Sequence, residues 1–104
     1  MNIDELTIGQ LKKLLQTHSF KIGENYFIQT VTHYYSGRLV AVTDSDILLE
    51  DAAWIADTGR FSDAMKAVES LNEVEPIPGI QGITRGSIVG FCIPKWDNLP
   101  MVQK

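Results

Sequence analysis

Apolar residues recur at two different periods along this chain. Near its start Ile8, Leu11, Leu14 and Leu15 repeat at helical spacing while Gln10, Lys12, Lys13 and Gln16 take the other side, which predicts an amphipathic helix over 7–17. Thr7 and Gln10 form a reciprocal capping pair at its start, with Leu6 and Leu11 placed as a hydrophobic staple. Lys12 and Lys13 approach the half of the helix where cations suit its dipole, and Thr17-His18-Ser19 ends it.

From residue 26 the pattern changes to that of strands. The run 26–35 is dense in aromatic and β-branched side chains and reads as strand one. Its apolar set (Phe27, Val31, Tyr35) is not cleanly on one face, so a bend or bulge is expected. Ser36-Gly37 is either a turn or a sharp bend in a strand that continues through 39–42. Thr43-Asp44-Ser45-Asp46 then separates two aliphatic runs, 39–42 and 47–49, with short side chains that bond their own backbone. That is a β-hairpin. Strand three begins near Asp46, extends through Ala52-Ala53-Trp54-Ile55, and is broken by Asp57-Thr58-Gly59-Arg60.

Helical spacing returns over 61–71, with Phe61, Met65, Val68 and Leu71 on one side and Ser62 or Thr58 as the cap. Pro76 and Pro78 make 73–79 a loop. A short fourth strand is expected around 80–83. Residues 88–93 form a better strand, apolar on both faces, closed by Pro94 and in need of cover on both sides. The segment 96–104 is expected to be only partly ordered.

At 104 residues, 44% of them hydrophobic, the chain has room for one domain, 1–104. No apolar run is long enough to cross a bilayer, and the start lacks the basic-then-apolar pattern of a signal peptide, so a cytoplasmic protein with no membrane partner is expected. The single cysteine, Cys92, cannot form an internal disulfide and fits a reducing compartment. A net charge of −4 argues against coating nucleic acid through the overall field, so a polyanion would have to meet a local cluster of arginines. A small core with no covalent staple also favours oligomerisation.

A helix, three antiparallel strands, an insertion and a strand pair around an Arg-Gly turn together resemble the Sm-like (LSm) family. Gly37, Asp44 and 47–52 match its first motif of an early glycine in strand two, an acidic loop residue and a hydrophobic strand three. Ile83, Arg85-Gly86 and Ile88-Val89 match its second. The resemblance implies a mainly β fold with helices: the N-terminal helix, then a strongly bent five-stranded antiparallel SH3-type barrel. A helical insertion, about 57–82, lies between strands three and four. The family's uridine-reading asparagine has no counterpart, since Asp46 and Ile47 occupy that region. The length of the insertion is closer to Sm-like proteins associated with bacteriophages, which implies a chain encoded by a bacterial host or its phage.

Family members pair the fourth strand of one subunit with the fifth of the next, so the resemblance implies a ring of five to seven copies joined through the strand edge near Ile88 and Ile93. The ring would multiply Arg85 around a central hole and bind single-stranded RNA or a nucleotide, with no cofactor, metal or catalysis. A phage-derived assembly ring acting through protein contacts at 61–71 and the N-terminal helix, or a ring holding a small phosphorylated ligand, are the alternatives.

Each candidate residue has a bland reading beside the functional one. Arg85 can meet a phosphate or stack on a base while Gly86 lets the backbone turn closely; it can equally tie loops together through Asp44 or Asp46. Asp44 and Asp46 resemble a carboxylate pair, but their turn composition explains them as solvated, and the resemblance gives Asp44 a loop-supporting role. Tyr34, Tyr35 and His33 can stack on bases or serve as core and interface residues. His18, His33 and Cys92 lack zinc-ligand spacing, and an apolar strand does nothing to activate Cys92. Arg38 and Arg60 are further positions from which a basic patch can be built, and Glu69, Glu73 and Glu75 read as a solvated face.

Overall fold

Three antiparallel strands, β1 (Asn25–Thr30), β2 (Tyr34–Val42) and β3 (Asp46–Asp57), follow one another as two hairpins. The computed structural model describes residues 20–104, so the helix expected over 7–17 lies outside them. The run read as a single first strand is in fact interrupted at 31–33. Thr30 Oγ1 accepts from the His33 amide at 3.0 Å and donates to the His33 carbonyl at 2.9 Å. A threonine closing its own turn overrides the strand propensity of Val31 and Thr32. The second hairpin forms where expected, with the Thr43 hydroxyl accepting from the amides of Ser45 at 3.3 Å and Asp46 at 2.9 Å.

Ser36-Gly37 is a bend inside β2. Ser36 pairs with Ala53 but Arg38 pairs with Glu50, so Asp51 and Ala52 of β3 stand opposite Gly37 alone. That is a β-bulge, and Asp51 adopts φ +49° to make it. A Cβ at Gly37 would lie 2.9 Å from Leu49 Cβ and 3.3 Å from Ala52 Cα. Glycine is therefore what lets the two backbones close up.

The bulge exchanges the two faces of β3. Ile47 and Leu49 join one core with Tyr26, Ile28, Leu39, Ala52 and Ile83. Past the bulge, Ala53 and Ile55 join a second core with Phe27, Ala64, Leu71 and Val74. β1 is thus covered on both faces, as Phe27 and Ile28, neighbours in sequence, serve opposite cores.

The insertion supplies the cover for the second core. It contains α1 (Phe61–Lys66), a 3-10 turn at Val68–Ser70 and β4 (Glu73–Pro76). The single helix expected over 61–71 stops at Lys66 because Ala67 takes an extended conformation, φ −146° and ψ 122°. Neither Ser62 nor Thr58 caps it; Arg60 holds the cap position without a side-chain bond, and the Thr58 hydroxyl donates to the Gly59 carbonyl at 2.9 Å. Residues 73–76, expected as loop, pair instead with the end of β3, Val74 against Ile55. Pro76 is tolerated as the last residue of a strand at the sheet's margin.

β5 (Gln81–Thr84) pairs with the first half of β3, and a 3-10 turn at Arg85–Ser87 leads into β6 (Ile88–Cys92), which pairs with β1. Among the described residues the sheet therefore has six antiparallel strands, one more than expected, in the order β4-β3-β2-β1-β6 with β5 also on β3. It does not close into a barrel, because β5 and β6 share the connecting turn but no ladder. The segment after β6, expected to be only partly ordered, packs on the second core. The Trp96 indole N–H donates to the Ala64 carbonyl at 2.6 Å, Leu99 and Pro100 are buried, and Lys104 exchanges two backbone bonds of 2.9 Å with Val74. The apolar outer face of β1 and α1 needs this cover.

Candidate functional site

The β3–β5 ladder continues beyond the end of the strands. Ile83 pairs with Ile47 and Thr84 with Asp46, after which the Arg85 amide donates to the Ser45 carbonyl at 2.8 Å. Burial of both isoleucines in the first core fixes this register. As a result Arg85, Gly86, Asp44 and Asp46 come together at one end of the sheet, although they lie far apart in sequence.

Arg85 is oriented as well as placed. Its Nη1 donates to the Thr43 carbonyl at 3.4 Å, and its guanidinium carbon stands 5.4 Å from the centre of the Phe20 ring. Phe20 in turn meets Tyr26 edge-on at 5.6 Å and packs at 4.6 Å on Phe91. A cation over an aromatic face is favoured, and the ring cluster gives the side chain a platform. Asp44 is exposed, and Asp46 accepts from the Ser45 hydroxyl at 3.2 Å. Local pattern signals neither Phe20 nor Phe91 as part of this group: Phe91 lies inside an apolar run and reads first as core, and Phe20 stands between Ser19 and Lys21 outside any expected element.

Tyr34 lies on the other face of the sheet. Its ring stacks on Phe27 at 5.4 Å with the planes 30° apart, against the second core. Strand alternation sends Tyr35 the opposite way, where the His33 ring lies 6.0 Å from Tyr35 and 5.3 Å from Trp54. His33 and Tyr35 line a groove of about 200 Å³ between the 31–33 turn and β5, together with Thr30, Val31, Ile83, Thr84 and Ser87.

Arg38 is occupied at the bulge. Nε donates to Glu50 at 2.7 Å and Nη2 to Asp51 at 2.5 Å, and those two bonds, Glu50 first, raise the guanidinium above its ordinary value. It faces a separate cleft of about 280 Å³ with Asn25, Asp97 and Asn98, so it does not join Arg85 in a basic patch. Cys92 Sγ lies 3.4 Å from Met65 Sδ, and burial pushes its thiol up. Among the described residues no three His, Cys, Asp or Glu side chains form a metal-holding group, and no helix is long and apolar enough to cross a membrane.

The two strands flanking the Arg85 turn each have an open side. The phase set by the Arg85–Ser45 bond directs the backbone of residues 81, 83 and 85 to β3 and that of Gly82 and Thr84 outward. Their outward carbonyls accept from Gln81 Nε2 at 2.8 Å and Ser87 Oγ at 2.7 Å. On β6, the bond from the Thr30 amide to the His33 carbonyl assigns the even residues of β1 to β2. Phe27 and Gln29 are then left to pair with Cys92 and Gly90, and the Phe91 backbone faces away. Along that side Val89, Phe91 and Ile93 are 61%, 45% and 55% exposed. No protein family, curated protein or solved structure gives a match to this chain.

Proposed function

We propose that this chain is an Sm-like protein whose copies join head to tail into a ring of five to seven and bind single-stranded RNA, or a nucleotide-like anion, at Arg85 without catalysing a reaction. The observation that carries the reading is the bond between the Arg85 amide and the Ser45 carbonyl. It unites the two segments on which the family resemblance rests and sets the guanidinium over Phe20 at a loop junction rather than in a core. There a planar cation can meet a phosphate with its fork or a base with its face.

The open sheet edges support the assembly. β6 offers the outward backbone of Phe91 flanked by exposed Val89 and Ile93, and β5 offers the outward amides of Gly82 and Thr84, with exposed Ile80 just before it. Pairing one copy's β6 with the next copy's β5 hides both edges. The Gln81 and Ser87 side chains that hold the β5 carbonyls are exchangeable caps, shielding the edge until a neighbour arrives. Repetition around the ring then concentrates positive potential locally on a chain whose net charge is −4. In this reading the protein works in the cytoplasm of a bacterial host and is encoded by that host or its phage.

Fluorescence anisotropy with uridine-rich and adenosine-rich oligonucleotides tests the reading. Binding that weakens as salt rises, and drops about tenfold or more for Arg85→Ala, is expected for charge-assisted phosphate contacts repeated around a ring. No salt-dependent binding, or full binding by the variant, ends it. A second reading, an assembly ring that docks proteins, is favoured by Phe61, which stands 48% exposed at the start of the insertion helix. It predicts a specific partner whose capture is abolished by Phe61→Ala in the absence of any oligonucleotide affinity.

A further inference from the structure

An aromatic patch stands on the first-core side of β6, at the point where the described residues begin. Phe20 packs on Phe91 at 4.6 Å, and both rings meet Tyr26 edge-on, at 5.6 Å and 5.9 Å. Tyr26 is buried in the first core, so the patch is continuous with that core. Phe20 covers it only in part. Phe91 is 45% exposed, and Ile93, which alternation puts on the same side, is 55% exposed.

We infer that this patch is the docking surface for the chain's own N-terminal segment, whose apolar stripe of Ile8, Leu11, Leu14 and Leu15 lies against Phe91 and Ile93. The inference stands whatever Arg85 binds, and it does not require copies to join.

The attachment point selects this occupant first. Only His18 and Ser19 separate the helix expected over 7–17 from Phe20, and the three chain steps from Thr17 to Phe20 span about 11 Å at most. Phe20 is fixed in turn by its contacts with Phe91 and with the Arg85 guanidinium. The last turn of the expected helix, with Leu14 and Leu15, is therefore held beside the patch. A tether this short gives the segment a high effective concentration there, which a second copy in solution lacks.

The stripe also needs such a surface. A helix over 7–17 is about 16 Å long, too short to be stable in water without packing its apolar side on something. The same patch remains to be covered when copies pair. A neighbouring strand would bond the outward backbone of Phe91 in the plane of the sheet, whereas the Phe91 and Ile93 side chains stand roughly perpendicular to that plane. Edge and face thus accept different occupants.

Methyl NOE spectroscopy of the full chain, with labelled Ile, Leu and Val, tests the inference. Contacts from the Ile93 methyls to Leu11, Leu14 or Leu15 are expected, undiminished when labelled protein is mixed with unlabelled. Contacts that fade on mixing overturn the inference in favour of a second copy as the occupant, and no contacts overturn it outright. Leu11→Asp combined with Leu14→Asp should abolish the contacts and raise binding of the apolar dye ANS several-fold. Lys12→Ser combined with Lys13→Ser, on the other side of the stripe, should change neither. Unchanged contacts and dye binding in the leucine variant also overturn the inference. The contacts are read on the unaltered chain, so the test holds even if that variant does not fold.

Discussion

The backbone amide of Arg85 lies 2.8 Å from the carbonyl oxygen of Ser45, and this bond ties the turn between β5 and β6 to the turn between β2 and β3. Because it is a main-chain bond continuing a ladder, it survives substitution of either side chain. Arg85 can therefore be altered to probe binding without dismantling the loop junction that presents it.

The bend at Gly37 is the first quantity to test. An added methyl would come within 2.9 Å of Leu49 Cβ and 3.3 Å of the Ala52 backbone, neither of which is the tip of a flexible side chain. Gly37→Ala is expected to lower stability by about 1–3 kcal/mol, the usual range for overpacking. Chemical denaturation measures it, and a variant as stable as the parent would mean that the strands do not approach so closely.

Asp51 separates backbone strain from ion pairing. Its φ of +49° disfavours any side chain and β-branched ones most, while its bond to Arg38 joins two side chains that are 44% and 36% exposed. Relief of strain and loss of a solvent-screened pair nearly offset in Asp51→Gly, which should stay within about 1 kcal/mol of the parent. Asp51→Val should lose about 1–2 kcal/mol or more. Equal stability for the two variants would contradict the bulge.

Much of the fold can be read from the residues themselves. Thr43-Asp44-Ser45-Asp46 announces its hairpin because short polar side chains act locally, and the strand near Ile88 follows from an apolar run that stops at a proline. What local pattern does not carry is whatever depends on a distant partner. β4 forms at 73–76 despite its proline because the far half of β3 has an open side there. Trp96 orders the final segment because α1 and Phe27 leave an apolar surface to cover. In the candidate site, Arg85-Gly86 and the turn residues Asp44 and Asp46 stand out locally in the sequence, and ladder register brings them together. The alternation that turns Tyr34 toward the second core and Tyr35 toward the groove depends on where β2 begins, which the Thr30 turn decides.

Cys92 gives a pH-dependent prediction. Burial favours its neutral thiol and raises its folded-state value above the ordinary one. The unfolded chain thus loses this proton first, and the stability contributed by the partly buried thiol, complete below the ordinary thiol range, declines from there as pH rises through the raised folded-state value. Alkylation at pH 8 should be several-fold slower in the folded protein than in denaturant and should accelerate with further increase in pH. Equal rates in the two states would contradict the packing of Cys92 against Met65.

The number of copies in solution tests the account most directly, since one arginine on a chain of net charge −4 becomes a polyanion site only by repetition. Light scattering across a range of concentrations should give a single mass of about 58–81 kDa, five to seven copies of 11.6 kDa. Phe91→Pro, which removes an outward amide from β6, should reduce that mass. A mass of one chain at every concentration would contradict the account.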